Sequence, residues 1–417
     1  MRRLALLGLI ICSASRLASA EEATKEPADW PTVIAKLQQQ MYDRPGMAYV
    51  RQQLATAYNN YGVSLGEQRQ WRSATEQLER ARELDPLNQQ VVENLSTMYA
   101  NQAQEQYVAH QLVDAETLIR KALAANPQLA IGYALLGRIE YDRQRLKEAK
   151  AAWQQAIQLD PQLPGIAQQL AQVTEELPIE SKFERLSQAS FDLRYEEKLQ
   201  SPVGFDIRDA LLDARRRIGL DFACWPKHKI IVLIYSAESF RQLRRDTPEW
   251  VGGQFDGKIR VPLPSAQLPS TTVRQIVFHE YTHAVIAELT GVRCPRWLNE
   301  GLAEYEGRQE GVKSLHALSR AHSAQQLIPL TELSERFSTT QSEDAALVYD
   351  QSYSLAAYLL DRYGWWRIRR LLKALGEGQS LDAALTDVCH VTLAKLEGHW
   401  RAWLPDFLKT APTGPAP

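Results

Sequence analysis

The sequence predicts a multidomain chain in which an all-α repeat solenoid is followed by an α+β domain, a small mixed sheet joined to long helices. Three observations carry that prediction. Residues from about Pro31 to Leu177 are rich in Ala, Gln, Leu and Glu, show no strand-like alternation, and repeat. From about Pro178, alternating and continuously apolar strand patterns begin to mix with helical ones. A length of 417 residues is enough for two or three separate cores. The expected boundaries are 1–20 for an export signal, 21–178 for the repeat domain, 179–410 for the α+β domain and 411–417 for a Pro-rich disordered tail. With 48 basic and 50 acidic residues the formal charge is -2, and the pI is about 6.5. That balance argues against a protein whose main business is nucleic acid or an anionic membrane, and no nucleic-acid partner is expected. A mean hydropathy of -0.36 and 24% charged residues exclude a polytopic membrane protein and a wholly disordered chain.

The first element has Arg2 and Arg3 as a basic start, an apolar run from Leu4 to Cys12, and Ala18-Ser19-Ala20 as a small-x-small cleavage site. The run is far short of the roughly 20 residues a spanning helix needs, so no stable membrane insertion is expected. The bulky Ile11 before Cys12 argues against lipidation. The expected fate is secretion across the inner membrane with removal of the signal, leaving the protein in the periplasm. Cys224, Cys294 and Cys389 then remain, an odd number without metal-site or CxxC spacing, and are expected as buried, unpaired thiols.

The repeat aligns on four positions per unit: Gly62, Ala74, Ala81, Pro86; then Ala103, Ala115, Ala122, Pro127; then Gly137, Ala149, Ala156, Pro161. The intervals are 12, 7 and 5 in every unit. Small residues let two antiparallel helices approach closely, a proline stops the second helix, and Leu78, Leu118 and Trp153 are expected to fill the space between. Residues Gly165 to Leu177 would form the helix that closes the stack. This pattern resembles the tetratricopeptide repeat, whose period of about 34 residues is met between Pro127 and Pro161. The middle unit is seven residues longer, which predicts a first helix about two turns longer or a longer loop. The resemblance implies about three repeats presenting a surface to a partner protein.

In the second half, Phe191 to Tyr195 alternates as a half-buried strand, Asp206 to Ile218 reads as a helix, and Lys229 to Tyr235 as a buried strand. Trp250 to Val261 reads as a further strand, bent where Gly252-Gly253 and Asp256-Gly257 interrupt it. His279-Glu280-Tyr281-Thr282-His283 follows, on a helix that a Thr272/Gln275 capping box would open and Gly291 would close. His279 and His283 are i and i+4, so both imidazoles leave one helix face at a separation suited to one tetrahedral Zn²⁺. Glu280 stands where a carboxylate can meet a water that such an ion activates. A hydrolytic site needs three protein ligands and one open position. Glu300, 17 residues after His283 in Trp297-Leu-Asn-Glu-Gly-Leu-Ala-Glu-Tyr305, is far enough along to be returned by a second helix, and Glu304 is the competing third ligand one turn on.

HExxH followed by this second segment resembles the gluzincin metallopeptidases, in particular the peptidase MA-like proteins, over most of residues 183 to 405. Trp250-Val-Gly-Gly253, Asp256-Gly-Lys-Ile259, Tyr349-Asp-Gln-Ser-Tyr353 and Tyr363-Gly364 take part in the likeness. The resemblance implies one Zn²⁺ per chain held by His279, His283 and Glu300, Glu280 as general base, and Tyr349 hydrogen bonding the oxyanion, with Tyr353 on the same helical face as its rival. It also implies a sheet whose edge strand lines the cleft. The open edge of the strand at 251–261 would hold an extended protein or peptide substrate and favour an endopeptidase. The competing reading is a catalytically inactive repeat adaptor whose peptidase-like domain only binds. Trp365-Trp366-Arg367 with Arg369-Arg370 reads as an amphipathic helix with a solvated basic face, and His390 and His399 have no ligand-type partner between them.

Overall fold

The computed structural model describes residues 29–196, 201–243, 254–255, 257–263, 270–311, 313–339 and 342–410. The expected export signal, residues 250–253 and the C-terminal tail lie outside them. The chain divides into two compact units, Met1–Pro178 and Ile179–Pro417.

The first unit is helical: α1 (Trp30–Asp43), α2 (Ala48–Glu67), α3 (Trp71–Leu84), α4 (Gln89–Val108), α5 (Leu112–Ala125), α6 (Ala130–Asp142), α7 (Leu146–Leu159) and α8 (Ile166–Glu180), the last running past Pro178. Helices pack as consecutive pairs, α2 with α3, α4 with α5 and α6 with α7. The small residues sit at the closest approaches. A Cβ on Gly62 would meet Leu78 Cγ at 2.6 Å, and one on Gly137 would meet the Trp153 ring at 2.4 Å. In the middle pair the buried filler is Ile119, while Leu118 is only half-buried. The expectation for Leu118 was one residue out, because the filler stands four residues after the small one, as Leu78 does after Ala74 and Trp153 after Ala149. Each second helix ends alike, the amides of Asp85, Asn126 and Asp160 donating to Ala81, Ala122 and Ala156 carbonyls at 2.9 Å just before the prolines. The extra length of the middle unit lies in helix, α4 having 20 residues against 13 in α6. Helix α1, capped by Asp29 and carrying Pro31 in its first turn, precedes the first expected repeat.

The second unit contains a five-stranded sheet of order β1-β2-β3-β5-β4. Its strands are β1 (Phe183–Ser187), β2 (Phe191–Glu196), β3 (Ile230–Ser236), β4 (Gln254–Phe255) and β5 (Ile259–Leu263). The outer pairs β1/β2 and β4/β5 are antiparallel, and β2/β3 and β3/β5 are parallel. Between β2 and β3 runs α9 (Ser201–Phe222), nine residues longer than expected, its stripe of Ile207, Ala210, Leu211, Ala214 and Ile218 in the main core. On β3, Val232 and Ile234 face that core, while Leu233 and Tyr235 face a smaller one with Phe240 of α10 (Ala237–Leu243). Burial on both faces explains its continuous apolar run.

The expected single strand at 250–261 is corrected to a hairpin. Gln254 pairs with Arg260 and Phe255 with Ile259, and Gly257 between them has φ +99°. The chain therefore reverses at a glycine that supplies positive φ. Strand β5 lies inside the sheet, and β4 is its outer neighbour.

Helices complete the unit: α11 (Ser270–Thr290), α12 (Arg296–Arg308), α13 (His316–Ser323), α14 (Leu333–Thr339), α15 (Ser342–Gly376), α16 (Leu381–Cys389) and α17 (Leu393–Thr410). Helix α11 opens at Ser270, so Thr272 lies within its first turn rather than capping it; Gly291, φ +59°, follows its last residue as expected. Helix α15 bends at Gly364, φ 68°. Just beyond, Trp365 packs on Phe222 and Tyr305 while Trp366 is exposed beneath Arg370. Cys224, Cys294 and Cys389 are free thiols, the latter two buried and Cys224 half-buried. Among the described residues no helix is long and apolar enough to cross a membrane.

Candidate functional site

Helix α11 is apolar nearly all round, with Val277, Phe278, Tyr281, Val285 and Ile286 in the main core. His279, Glu280 and His283 are therefore carried inside the protein on a rigid element, and their ligand atoms lie within 4.8 Å of one another. Helix α12 crosses α11 and α15. Two glycines permit the crossing: a Cβ on Gly301 would lie 2.3 Å from the Ser352 carbonyl oxygen of α15, and one on Gly307 would lie 3.0 Å from the Gln275 carbonyl oxygen of α11. The close approach brings Glu300 to the histidines.

His279 Nε2 and His283 Nε2 are 3.1 Å apart, and Glu300 Oε2 is 3.5 Å from each. Bonds of about 2.0–2.2 Å in tetrahedral geometry place two donor atoms about 3.3–3.5 Å apart, so this triangle fits a zinc ion without rearrangement. The other ring nitrogens are held from outside. His283 Nδ1 lies 2.9 Å from Asn299 Oδ1, and His279 Nδ1 lies 3.3 Å from Glu304 Oε1. With both Nδ1–H groups donating outward, loss of the Nε2 protons turns both Nε2 lone pairs toward the triangle.

Glu304, expected as the rival third ligand, is thus engaged on the far side of His279. Arg308 Nε donates to its Oε2 at 2.8 Å and Lys313 reaches both its oxygens at 3.2 and 3.3 Å. The two tyrosines have different neighbours. Tyr349 packs edge-on against Phe337, and its strongest charged influences are Glu300 and Arg296. Tyr353 is stacked with Tyr305 and lies under the Arg308 guanidinium, 4.3 Å from its ring centre. Asn299 and the orienting role of Glu304 were missed by sequence reasoning; the signal was their position beside Glu300 and one turn after it.

The electrostatics suit a cation. Burial alone would lower the His279 pKa, but hydrogen bonds to Glu300 and Glu304 outweigh it and raise it to about 10. Burial would raise Glu300, and the His283 and His279 partners hold it far below the usual carboxylate range instead. Burial raises Glu280, whose Oε2 is buried without a hydrogen-bond partner. Burial likewise raises Tyr349, keeping its hydroxyl a donor.

The family model of the Peptidase MA superfamily matches residues 217–406, a span containing all of these side chains. A tetratricopeptide repeat model matches residues 130–163, which are α6, α7 and the turn after them. No curated protein matches the chain. The chain thus carries a Peptidase MA superfamily domain and a tetratricopeptide repeat.

Proposed function

We propose that the protein is an exported, zinc-dependent endopeptidase of the HExxH gluzincin type, acting in the periplasm, with its repeat unit binding a partner or substrate protein. The observation that carries the reading is the triangle of His279 Nε2, His283 Nε2 and Glu300 Oε2 beside the unpartnered Glu280 Oε2. Export rests on the basic start and apolar run of residues 2–12 and the Ala18-Ser19-Ala20 site.

A zinc ion held by His279, His283 and Glu300 would supply a Lewis acid and acidify a water molecule. Glu280 Oε2 accepts the proton of the attacking water, burial making it a stronger base than an ordinary carboxylate, and the same carboxyl returns the proton to the leaving amine. The Tyr349 hydroxyl donates to the oxyanion as charge develops on the carbonyl oxygen. Asn299 and Glu304 fix the two imidazoles. Among the described residues β4 has no strand on its outer side, and this edge can take an extended peptide through main-chain hydrogen bonds.

The test is metal content and peptide cleavage of the purified protein with Glu280→Gln beside it. The proposal expects about one zinc per chain in both proteins and cleavage lowered by at least about 10²-fold in the variant. Equal cleavage by both would remove Glu280 from the chemistry, and a wild type that takes up no zinc would sink the peptidase reading.

A further inference from the structure

Arg308 is a buried cation between two buried carboxylates. Its Nε lies 2.8 Å from Glu304 Oε2 on its own helix and its Nη2 lies 2.7 Å from Asp350 Oδ1 on α15, with all three side chains 7% exposed. Its guanidinium also lies over the Tyr353 ring, which stacks on Tyr305. The path from His279 Nδ1 therefore runs to Glu304, to Arg308, to Asp350, and Asp350 is the residue directly after Tyr349.

We infer that Arg308 is a positioning residue for the metal centre, a part of the protein read here as a zinc peptidase. It holds Glu304 against His279 Nδ1, keeps that carboxylate out of the triangle formed with Glu300, and anchors the turn of α15 that bears Tyr349. The geometry explains the residue type. A planar fork can donate to acceptors on two helices while its face rests on an aromatic ring, and an ammonium offers no such face. Removing Arg308 leaves Asp350 with a buried charge and leaves Glu304 to Lys313, which reaches it from a half-exposed position. Lys313 provides the internal control: it contacts the same Glu304 carboxylate from a half-exposed position, so its loss removes the same charge without cutting the tie to Asp350.

The experiment measures zinc affinity by chelator competition, and the visible spectrum of the Co²⁺-loaded protein, for full-length wild type, Arg308→Gln, Arg308→Lys and Lys313→Gln. Loss of an outer partner of a metal ligand typically weakens binding about 10–100-fold. That range is expected for Arg308→Gln, together with an altered Co²⁺ spectrum. Arg308→Lys should recover part of the affinity, and Lys313→Gln should stay within about threefold of wild type, as a half-exposed pair implies. Equal shifts in Arg308→Gln and Lys313→Gln would mark charge alone and overturn the inference, as would a folded Arg308→Gln with wild-type affinity and spectrum. Should Arg308→Gln fail to fold, Asp350→Ala decides, because it removes the oxygen that accepts from Arg308 and so cuts the anchor: an affinity loss of threefold or more supports the role, and none overturns it. A wild type that binds neither metal overturns the zinc reading and this inference together, whereas metal binding indifferent to Arg308 and Asp350 overturns the inference alone.

Discussion

Gly301→Ala tests whether the spacing of α12 and α15 sets the candidate site. The added Cβ would lie 2.3 Å from the Ser352 carbonyl oxygen, 2.9 Å from its carbon and 3.2 Å from Ala356 Cβ. An ordinary carbon–oxygen contact is about 3.3 Å, so the helices must part by about 1 Å. Both surfaces are helix backbone and cannot rotate aside, which puts the cost near the upper end of the roughly 1–3 kcal/mol for overpacking. Alanine returns about 1 kcal/mol through its higher helix propensity. The net loss is about 2 kcal/mol, or a fall in melting temperature of about 4–8 °C for a unit of this size. Metal ligands tolerate displacements of only about 0.2 Å, and Glu300 is the adjacent residue, so zinc affinity should fall at least about tenfold with it. Gly307→Ala, whose Cβ meets the Gln275 oxygen at 3.0 Å, needs a shift of a few tenths of an ångström and should melt close to wild type. Thermal denaturation and chelator competition on the three proteins decide the matter. A Gly301→Ala protein that melts at or above the wild-type temperature with unchanged zinc affinity would refute the reasoning.

Asn299→Ala removes the acceptor that holds His283 Nδ1 at 2.9 Å and should weaken zinc binding about 10–100-fold in chelator competition, with little change in melting. Asn299→Asp keeps an acceptor and should bind far better than the alanine variant. Glu306 is 1% exposed, and burial followed by the Asp221 charge raises its pKa from 4.5 to about 7 despite Arg217. A carboxyl raised on folding contributes stability that is complete below pH 4.5 and is lost as pH rises through 7, about 3 kcal/mol in all. Glu306→Gln imitates the protonated form. Its melting temperature relative to wild type should therefore rise between pH 4 and pH 8, and a constant difference across that range would refute the assignment.

The repeat was legible because its marks are imposed by contact. Gly62 and Gly137 must be small since Leu78 and Trp153 lie against them, and the interval of 12 residues to Ala74 and Ala149 follows from two helices and one turn of nearly fixed length. Helix α1 buries Ile34 and half-buries Trp30, Leu37 and Met41, but it has none of the small residues by which the repeats were aligned. Strand β1 was missed for a different reason. Phe-Glu-Arg-Leu-Ser leaves three of its five residues exposed, so it shows neither alternation nor a continuous apolar run. At Asp256-Gly257 the signal is present in the sequence, since an Asp-Gly pair between two strand-like segments marks a hairpin more strongly than a bend.

At the site, legibility follows the distance between residues that constrain each other. His279 and His283 are four apart on one helix, so their shared face is a property of α11 alone. Glu300 could be located only as within reach, because 17 residues limit distance and say nothing of direction. The two choices left open in sequence, Glu300 against Glu304 and Tyr349 against Tyr353, are each between residues one turn apart on one helix, and local pattern treats such pairs as equivalent. What distinguishes them in the structure is Arg308, which hydrogen bonds Glu304 and covers Tyr353 while its second arm reaches Asp350, 42 residues away. A motif thus fixes the groups that a single helix can present. Telling two such groups apart takes contacts made by residues far along the chain, and Arg308 makes one with a member of each pair.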